Sequence, residues 1–184
     1  MISKEKIEEY IDLASYAINC EPKSFWLWVT GPDYYLDHDG SDREILEPGY
    51  ELNWTCDENT RIGDLIILYR TSPKTDVKYL VQAISKPYIN KDSGKFSGWH
   101  YCDAIVIYKF ENSVLSKEMK QDAILADSEP VRRNYQGNQG SFVFNNMEWM
   151  ELNLILQEKN PEYNNFLEAL IAKNPSLKTV FPSE

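Results

Sequence analysis

All five tryptophans of this chain fall in one stretch that also holds the polar side chains a binding site needs. It begins with Phe25-Trp26-Leu27-Trp28-Val29-Thr30 and continues with Asn53-Trp54-Thr55. Gly63-Asp64 then opens an apolar run that ends in Tyr69-Arg70, followed by Gly98-Trp99-His100-Tyr101. Arg133-Asn134-Tyr135-Gln136-Gly137 and Trp149 close the stretch. Residues of these types can stack a flat ring: a base held on an aromatic face gains ~1–3 kcal/mol without any net positive charge. Asn53, Thr55, Asn134 and Gln136 could read the edge of such a base. Trp26 and Trp28 lie two apart on a strand, share a face, and are expected in the core. Thr30, Trp54, Thr55, Tyr69, Arg70, Trp99 and Tyr101 fall at strand ends or in adjoining loops, where they can line an open cleft. Residue type alone leaves a second reading open, in which Trp54 and Trp99 only plug the ends of a barrel.

Other chemistries find less support. No GxxxxGK[ST], GxGxxG, HExxH or GxSxG motif is present. His38 and His100 are the only histidines, so a Ser/His or Cys/His nucleophilic pair has no motif to support it, and both are expected as surface or hydrogen-bonded loop residues. Cys20, Cys56 and Cys102 are odd in number and widely spaced, without a CxxC pair, which argues for free thiols in a reducing compartment rather than a zinc site. Asp37, Asp39 and Asp42 alternate around Gly40, but no Glu stands where a calcium loop requires one, so a solvated acidic loop is expected. No cofactor is expected.

The net charge of −10 is uneven. Residues 1–69 carry five Lys/Arg against 15 Asp/Glu, residues 70–133 carry 11 against 8, and residues 134–184 carry 3 against 6. Such a chain does not coat nucleic acid by bulk phosphate neutralisation. It can still read one base in a pocket, with a rim supplied by the mildly basic middle segment. The opening Met1-Ile2-Ser3-Lys4 runs into a charged segment without a secretory apolar run, and no stretch approaches the ~20 apolar residues of a membrane span, so a soluble cytoplasmic protein is expected.

The elements that must position these groups follow from periodicity. Ser3 caps a helix expected over 3–19, with Ile7, Tyr10, Ile11, Ala14 and Ile18 on one side. Strands are expected at 25–30, 65–70, 79–84, 101–110 and 141–144, with 65–70 and 79–84 forming a hairpin around Pro73-Lys74-Thr75-Asp76. Residues 33–60 and 126–140 read as long loops, and Ser116 opens a short helical piece. Asn145 and Glu148 form a capping box for a helix with Met147, Met150, Leu154 and Ile155 at helical spacing. Pro161 starts a last helix over 161–173, striped by Tyr163, Phe166, Leu167, Leu170 and Ile171. The hydrophobic content of 42% suffices for one sizeable core, and no linker or repeat divides residues 1–184. The expected architecture is α+β, a small mixed β-barrel of about five to six strands with surrounding helices and helical additions at both ends.

The order of these pieces resembles the EVE domain of the PUA-like superfamily, which also includes YTH and ASCH domains. The likeness rests on the aromatic opening strand ending at Thr30, on Trp54, on Gly63-Asp64 leading to Tyr69-Arg70, on Gly98-Trp99 with Tyr101, on Arg133 with Gln136-Gly137, and on Trp149. It covers residues 24–157 and lies nearer the EVE branch found beside restriction-type modules than the thymocyte-protein branch, whose Arg-rich stretch is missing. The resemblance implies a PUA-like barrel and a non-catalytic module that reads a flipped, modified base, with modified cytosine in DNA favoured and modified RNA second. It implies stacking by Trp54, Tyr69, Trp99 and Tyr101, and hydrogen bonds from Thr30, Asn53, Arg133 and Gln136, with Thr55 and Gly137 beside them. Arg70, Lys74 and Lys78 would meet phosphates. Two alternatives stand beside it. One is an ASCH-like amidohydrolase on modified nucleosides, which would need a Lys and a Glu near Thr30 or Thr55. The other is a regulatory protein whose acidic first third binds a basic partner.

Overall fold

The computed structural model describes residue 5 and residues 21–182. The helix expected over 3–19 lies outside the described residues. Strands are β1 (Phe25–Thr30), β2 (Glu51–Thr55), β3 (Leu65–Arg70), β4 (Asp76–Ala83), β5 (Tyr88–Ile89), β6 (His100–Leu115) and β7 (Ser141–Phe144). Helices are α1 (Pro32–Tyr35), α2 (Ser116–Gln121), α3 (Glu129–Arg132), α4 (Asn146–Lys159) and α5 (Pro161–Lys173), with short 3-10 turns at Leu125–Asp127, Asn138–Gly140 and Pro175–Thr179. No helix among the described residues is long and apolar enough to cross a membrane.

The strands form one mixed sheet in the order β2-β6-β4-β3-β1-β7, with β5 added on β6. Five of the seven strands among the described residues are those expected from sequence; β2 lies in the 33–60 stretch that reads as a loop, and β5 is not among the expected strands. β1 and β3 run parallel, from Phe25 opposite Leu65 to Thr30 opposite Arg70. The other pairings are antiparallel, including the expected β3–β4 hairpin. Strand β6 runs five residues beyond its expected end at Phe110. Its register against β4 shifts twice, between Val77 and Tyr79 and between Leu80 and Val81. Such irregularities bend a strand and increase its twist, which curls the sheet toward a barrel.

The curl separates two cores. Trp26, Trp28, Ile66, Leu68, Val81, Cys102 and Val106 fill its inside. Phe25, Leu27, Leu65, Ile67, Leu80 and Ile107 face outward and pack with Trp149 and Leu152 of α4 and Tyr163, Phe166 and Leu170 of α5. Both faces of β1 and β3 are therefore covered, which is why they read as unbroken apolar runs. Cys56 and Cys102 are buried free thiols.

Two sequence signals acquire clear structural roles. Gly63 (φ 92°) turns the chain so that Asp64 is wholly buried beside the start of β1. Its Oδ1 accepts the Lys23 and Ser24 amides at 2.8 and 2.9 Å, and its Oδ2 accepts the Trp26 indole and the Arg61 amide, both at 2.9 Å. The expected capping box forms at α4: Asn145 Oδ1 accepts the Glu148 amide and Glu148 Oε2 accepts the Asn145 amide, both at 2.9 Å. The buried frame of α4 differs from the expected one. Trp149, Leu152, Asn153 and Leu156 face the core, whereas Met147 is 63% and Leu154 41% exposed. Both frames are apolar at helical spacing, and the cap fixes where the helix starts without fixing which side is buried. Helix α5 buries Tyr163, Phe166, Leu167 and Leu170 as its stripe requires.

Candidate functional site

A cleft of about 730 Å³ opens where the two ends of the curled sheet meet. Trp54 and Thr55 reach it from β2, Tyr34 and Asp33 from α1, Phe96 and Trp99 from the β5–β6 loop, Tyr101 from β6, and Gly137, Gln139 and Gly140 from the loop before β7. The Tyr34 and Trp54 rings lie 4.4 Å apart at 50°, and Phe96 meets Trp99 edge-on at 5.0 Å. The β5–β6 loop is held by backbone bonds from Gly98 to Asn90 and from Asn90 to Trp99, at 2.9 and 2.8 Å. Lys95 lies over the Phe96 ring at 5.3 Å.

The seam of the sheet is closed by side chains of the same residues. Trp54 Nε1 donates to the Val29 carbonyl and Thr55 Oγ1 donates to the Gln139 carbonyl, each at 2.9 Å. Thr30 Oγ1 donates to the Tyr69 carbonyl at 3.0 Å. Both threonines named for an amidohydrolase therefore direct their hydroxyl protons at main-chain oxygens.

The loop before β7 is unusual in its backbone. Of residues 134–140, all but Gln136 have positive φ: Asn134 49°, Tyr135 59°, Gly137 93°, Asn138 49°, Gln139 53° and Gly140 75°. Four of these six carry side chains, for which this region is costly, and such residues gather where a site needs a fixed shape. Arg133 Nη1 contacts Glu129 Oε1 at 3.1 Å and Asn138 Oδ1 at 2.8 Å, and Asn138 also donates to Glu129 at 2.9 Å. The Arg133 guanidinium lies so close to Gly137 that a Cβ there would meet Nη2 at 2.5 Å.

A second cleft, of about 700 Å³, lies on the other side of this loop and is lined by Tyr69, Lys117, Lys120, Asn134, Tyr135 and Gln136 among others. Tyr69 and Tyr135 stack within it at 3.7 Å and 10°. Burial pushes the Tyr135 phenol up to about 12 and raises that of Tyr69, so both are neutral donors at physiological pH.

The residues singled out in the sequence are thus divided. Trp54, Thr55, Trp99, Tyr101 and Gly137 share the first cleft, and Tyr69 and Gln136 line the second. Thr30 is buried behind the first cleft, Asn53 is exposed on β2 outside both, and Arg133 supports the loop between them. Arg70 is internal, 2% exposed, with bonds to both Asp76 oxygens at 2.7 Å and to Asp42 Oδ1 at 2.8 Å, between the rings of Tyr35 and Tyr79. It is held within the fold rather than at a phosphate-facing surface. Lys74 and Lys78 lie 3.4 and 4.0 Å from Asp42. Asp42 belongs to the acidic loop that the sequence marked; its burial acts to raise its pKa, but Arg70, Lys74 and Lys78 hold the carboxyl below the usual range. Tyr34, Phe96 and Tyr135 escaped the sequence reading as site residues. His38 lies in the loop after α1 and His100 opens β6, and no cluster of three or more His, Cys, Asp or Glu among the described residues could hold a metal ion.

No protein-family model matches the chain, and neither does any curated protein. Solved structures do. A protein of Pseudomonas syringae, 14% identical, superimposes with a TM-score of 0.58 over 72% of this chain and 99% of its own. The human THYN1 protein in complex with 5-methylcytosine-containing DNA is 13% identical, with a TM-score of 0.51 over 74% of this chain and 98% of its own. The chain shares its fold with these structures, in keeping with the PUA-like α+β architecture expected from sequence. The DUF55 domain of human thymocyte nuclear protein 1 matches with a TM-score of 0.50 at 13% identity, over 74% of this chain and 98% of its own. At these identities the likeness is one of fold.

Proposed function

We propose that this chain is a nucleic-acid-binding module that takes a flipped, modified base into the cleft between Trp54 and Trp99, with modified cytosine in DNA as the favoured ligand and modified RNA second. One observation carries the proposal: Trp54 and Trp99, 45 positions apart in sequence, converge with Tyr34, Phe96 and Tyr101 on one cleft of about 730 Å³. That volume falls within the range of small-ligand sites, roughly 300–1,000 Å³. Extruding a base costs a few kcal/mol, and each aromatic face that receives it returns ~1–3 kcal/mol. Two faces therefore offset the extrusion without help from bulk charge, as a chain of net charge −10 requires. The strained loop adds a fixed edge at Gly137, Gln139 and Gly140, where polar groups could meet the base rim. The human THYN1 protein, solved with 5-methylcytosine-containing DNA, has the same fold and supports the choice of ligand class.

The test is binding to matched oligonucleotides that are unmodified or carry 5-methylcytosine, 5-hydroxymethylcytosine or N6-methyladenine, as DNA and as RNA, at ~0.15 M salt. Selective binding to one modified base supports the reading, and equal or absent binding across the panel contradicts it.

A further inference from the structure

The cleft over the Tyr69–Tyr135 stack has no part in holding a base by the reading above, yet its lining is chemically one-sided. None of its eleven lining residues is acidic, in a chain with 29 carboxylate residues. It presents Lys117 and Lys120, the amide of Gln136, the hydroxyl of Ser116 beside both phenols, and the hydroxyls of Ser72 and Thr75, whereas the Thr71 hydroxyl is donated to the Thr30 carbonyl at 3.1 Å. Lys120 Nζ contacts Asn134 Oδ1 at 3.0 Å, and neither lysine has a carboxylate partner among the described residues. Lys74 and Lys78, by contrast, face Asp42. Two ammonium groups ringed by neutral donors fit a compact anion with several acceptor oxygens.

The placement of this cleft narrows the source of that anion. Thr71 lines both clefts, and Gln136 lines one while Gly137 lines the other, so the two meet across a single peptide bond. We infer that the cleft over Tyr69 and Tyr135 seats a phosphate group, that of the backbone phosphodiester adjoining the base held by Trp54 and Trp99. The source of the phosphate rests on the base-binding reading; the seat itself does not. The strained loop then stands as a ridge between base and phosphate, which explains why its shape is pinned by Arg133 on one side and Thr55 on the other.

The experiment measures oligonucleotide affinity of the full chain by fluorescence anisotropy at several salt concentrations between about 50 and 200 mM. It compares the wild type with Lys117→Gln/Lys120→Gln and with Lys86→Gln/Lys178→Gln, which alters charge equally at exposed sites away from both clefts. The Lys117/Lys120 variant is expected to bind modified and unmodified single strands more weakly by the same factor, roughly tenfold. Its slope of log affinity against log salt should be shallower by about 1.4, the value for two lost contacts on a single strand. The Lys86/Lys178 variant should match the wild type. In a second arm, inorganic phosphate is titrated into isotope-labelled protein and should shift the amides of Lys117, Lys120 and Gln136 but not those of Trp54 and Trp99. Unchanged affinity and slope in the Lys117/Lys120 variant overturn the inference while leaving base recognition standing. If the wild type binds no oligonucleotide, the base-binding reading fails. A phosphate shift at Lys117 and Lys120 would then keep the seat with a free anion as its ligand, and its absence would overturn the seat as well.

Discussion

Trp54 Nε1 donates to the Val29 carbonyl at 2.9 Å, across the seam where the curled sheet returns on itself. β2 stands at one end of the sheet order and β1 next to the other, so this side-chain bond joins strands that share no ladder. One indole therefore supports the barrel and lines its cleft. Trp99, whose ring meets only that of Phe96 among the described residues, lines the same cleft without a seam bond to any of them.

The two tryptophans should respond differently to substitution. Trp54→Phe keeps a ring and loses the bond, so unfolding in urea should shift by about 0.5–1.5 kcal/mol while base binding is largely retained. Trp99→Ala should leave the unfolding midpoint near that of the wild type and weaken base binding by ~1–3 kcal/mol. Loss of stability at Trp99 equal to that at Trp54 would contradict the division of roles.

Asp64 gathers four N–H groups in a fully buried site, and its partners Lys23, Ser24, Trp26 and Arg61 belong to the entry of β1 and the turn before β3. Asp64→Asn turns an amide donor toward two of these donors. The expected loss is roughly 3 kcal/mol, read as a fall in Tm of about 6–12 °C for a domain of this size. Base preference of the folded fraction should not change. A Tm within a degree of the wild type would show that the Gly63-Asp64 turn does not hold β1.

Gly137 and Arg133 are coupled by contact. Gly137→Ala places a Cβ against the guanidinium at φ 93°, so it should lower stability by ~1–3 kcal/mol. In an Arg133→Ala background the same change should be milder, since only the backbone strain remains. The double-mutant cycle should return a coupling of about 0.5 kcal/mol or more. Strict additivity would mean that Arg133 does not lie on Gly137.

Much of the fold is legible because burial on both faces makes β1 and β3 continuous apolar runs, and because Pro161 and the Tyr163–Leu170 stripe mark α5. β2 is not legible: Glu51 and Asn53 face outward and only Leu52, Thr55 and part of Trp54 are covered, so its five residues show no strand pattern without β6 beside them. Tyr34 and Phe96 hide for a related reason, since a four-residue helix and a polar loop have no periodicity of their own. Arg70 reads as a strand-end surface cation until Asp42, 28 positions earlier, and Asp76 are folded onto it. Of the cleft itself, the sequence marks Trp54, Thr55, Trp99, Tyr101 and Gly137, but not that Tyr69 and Gln136 belong to a different hollow.

Stability should fall in acid in part through Asp42. Its carboxyl is held below the usual range in the fold, so its stabilisation is complete above the ordinary carboxylate value of about 4 and is lost as pH drops through the lower folded value. Glu118, which accepts Lys159 Nζ at 2.7 Å and is likewise lowered, acts with the same sign. Asp42→Asn should therefore lower Tm at pH 7 and flatten the decline in Tm below about pH 4. An unaltered decline would remove Asp42 from the acid response.

The most direct measurement is the affinity of the wild type and Trp99→Ala for single- and double-stranded oligonucleotides that differ only in one cytosine, unmodified or 5-methylated, at ~0.15 M salt. Preference of the wild type for the modified base, lost in Trp99→Ala at unchanged Tm, is the expected result. Equal affinity of the wild type for both bases, or a preference that survives Trp99→Ala, would contradict base capture in the Trp54–Trp99 cleft.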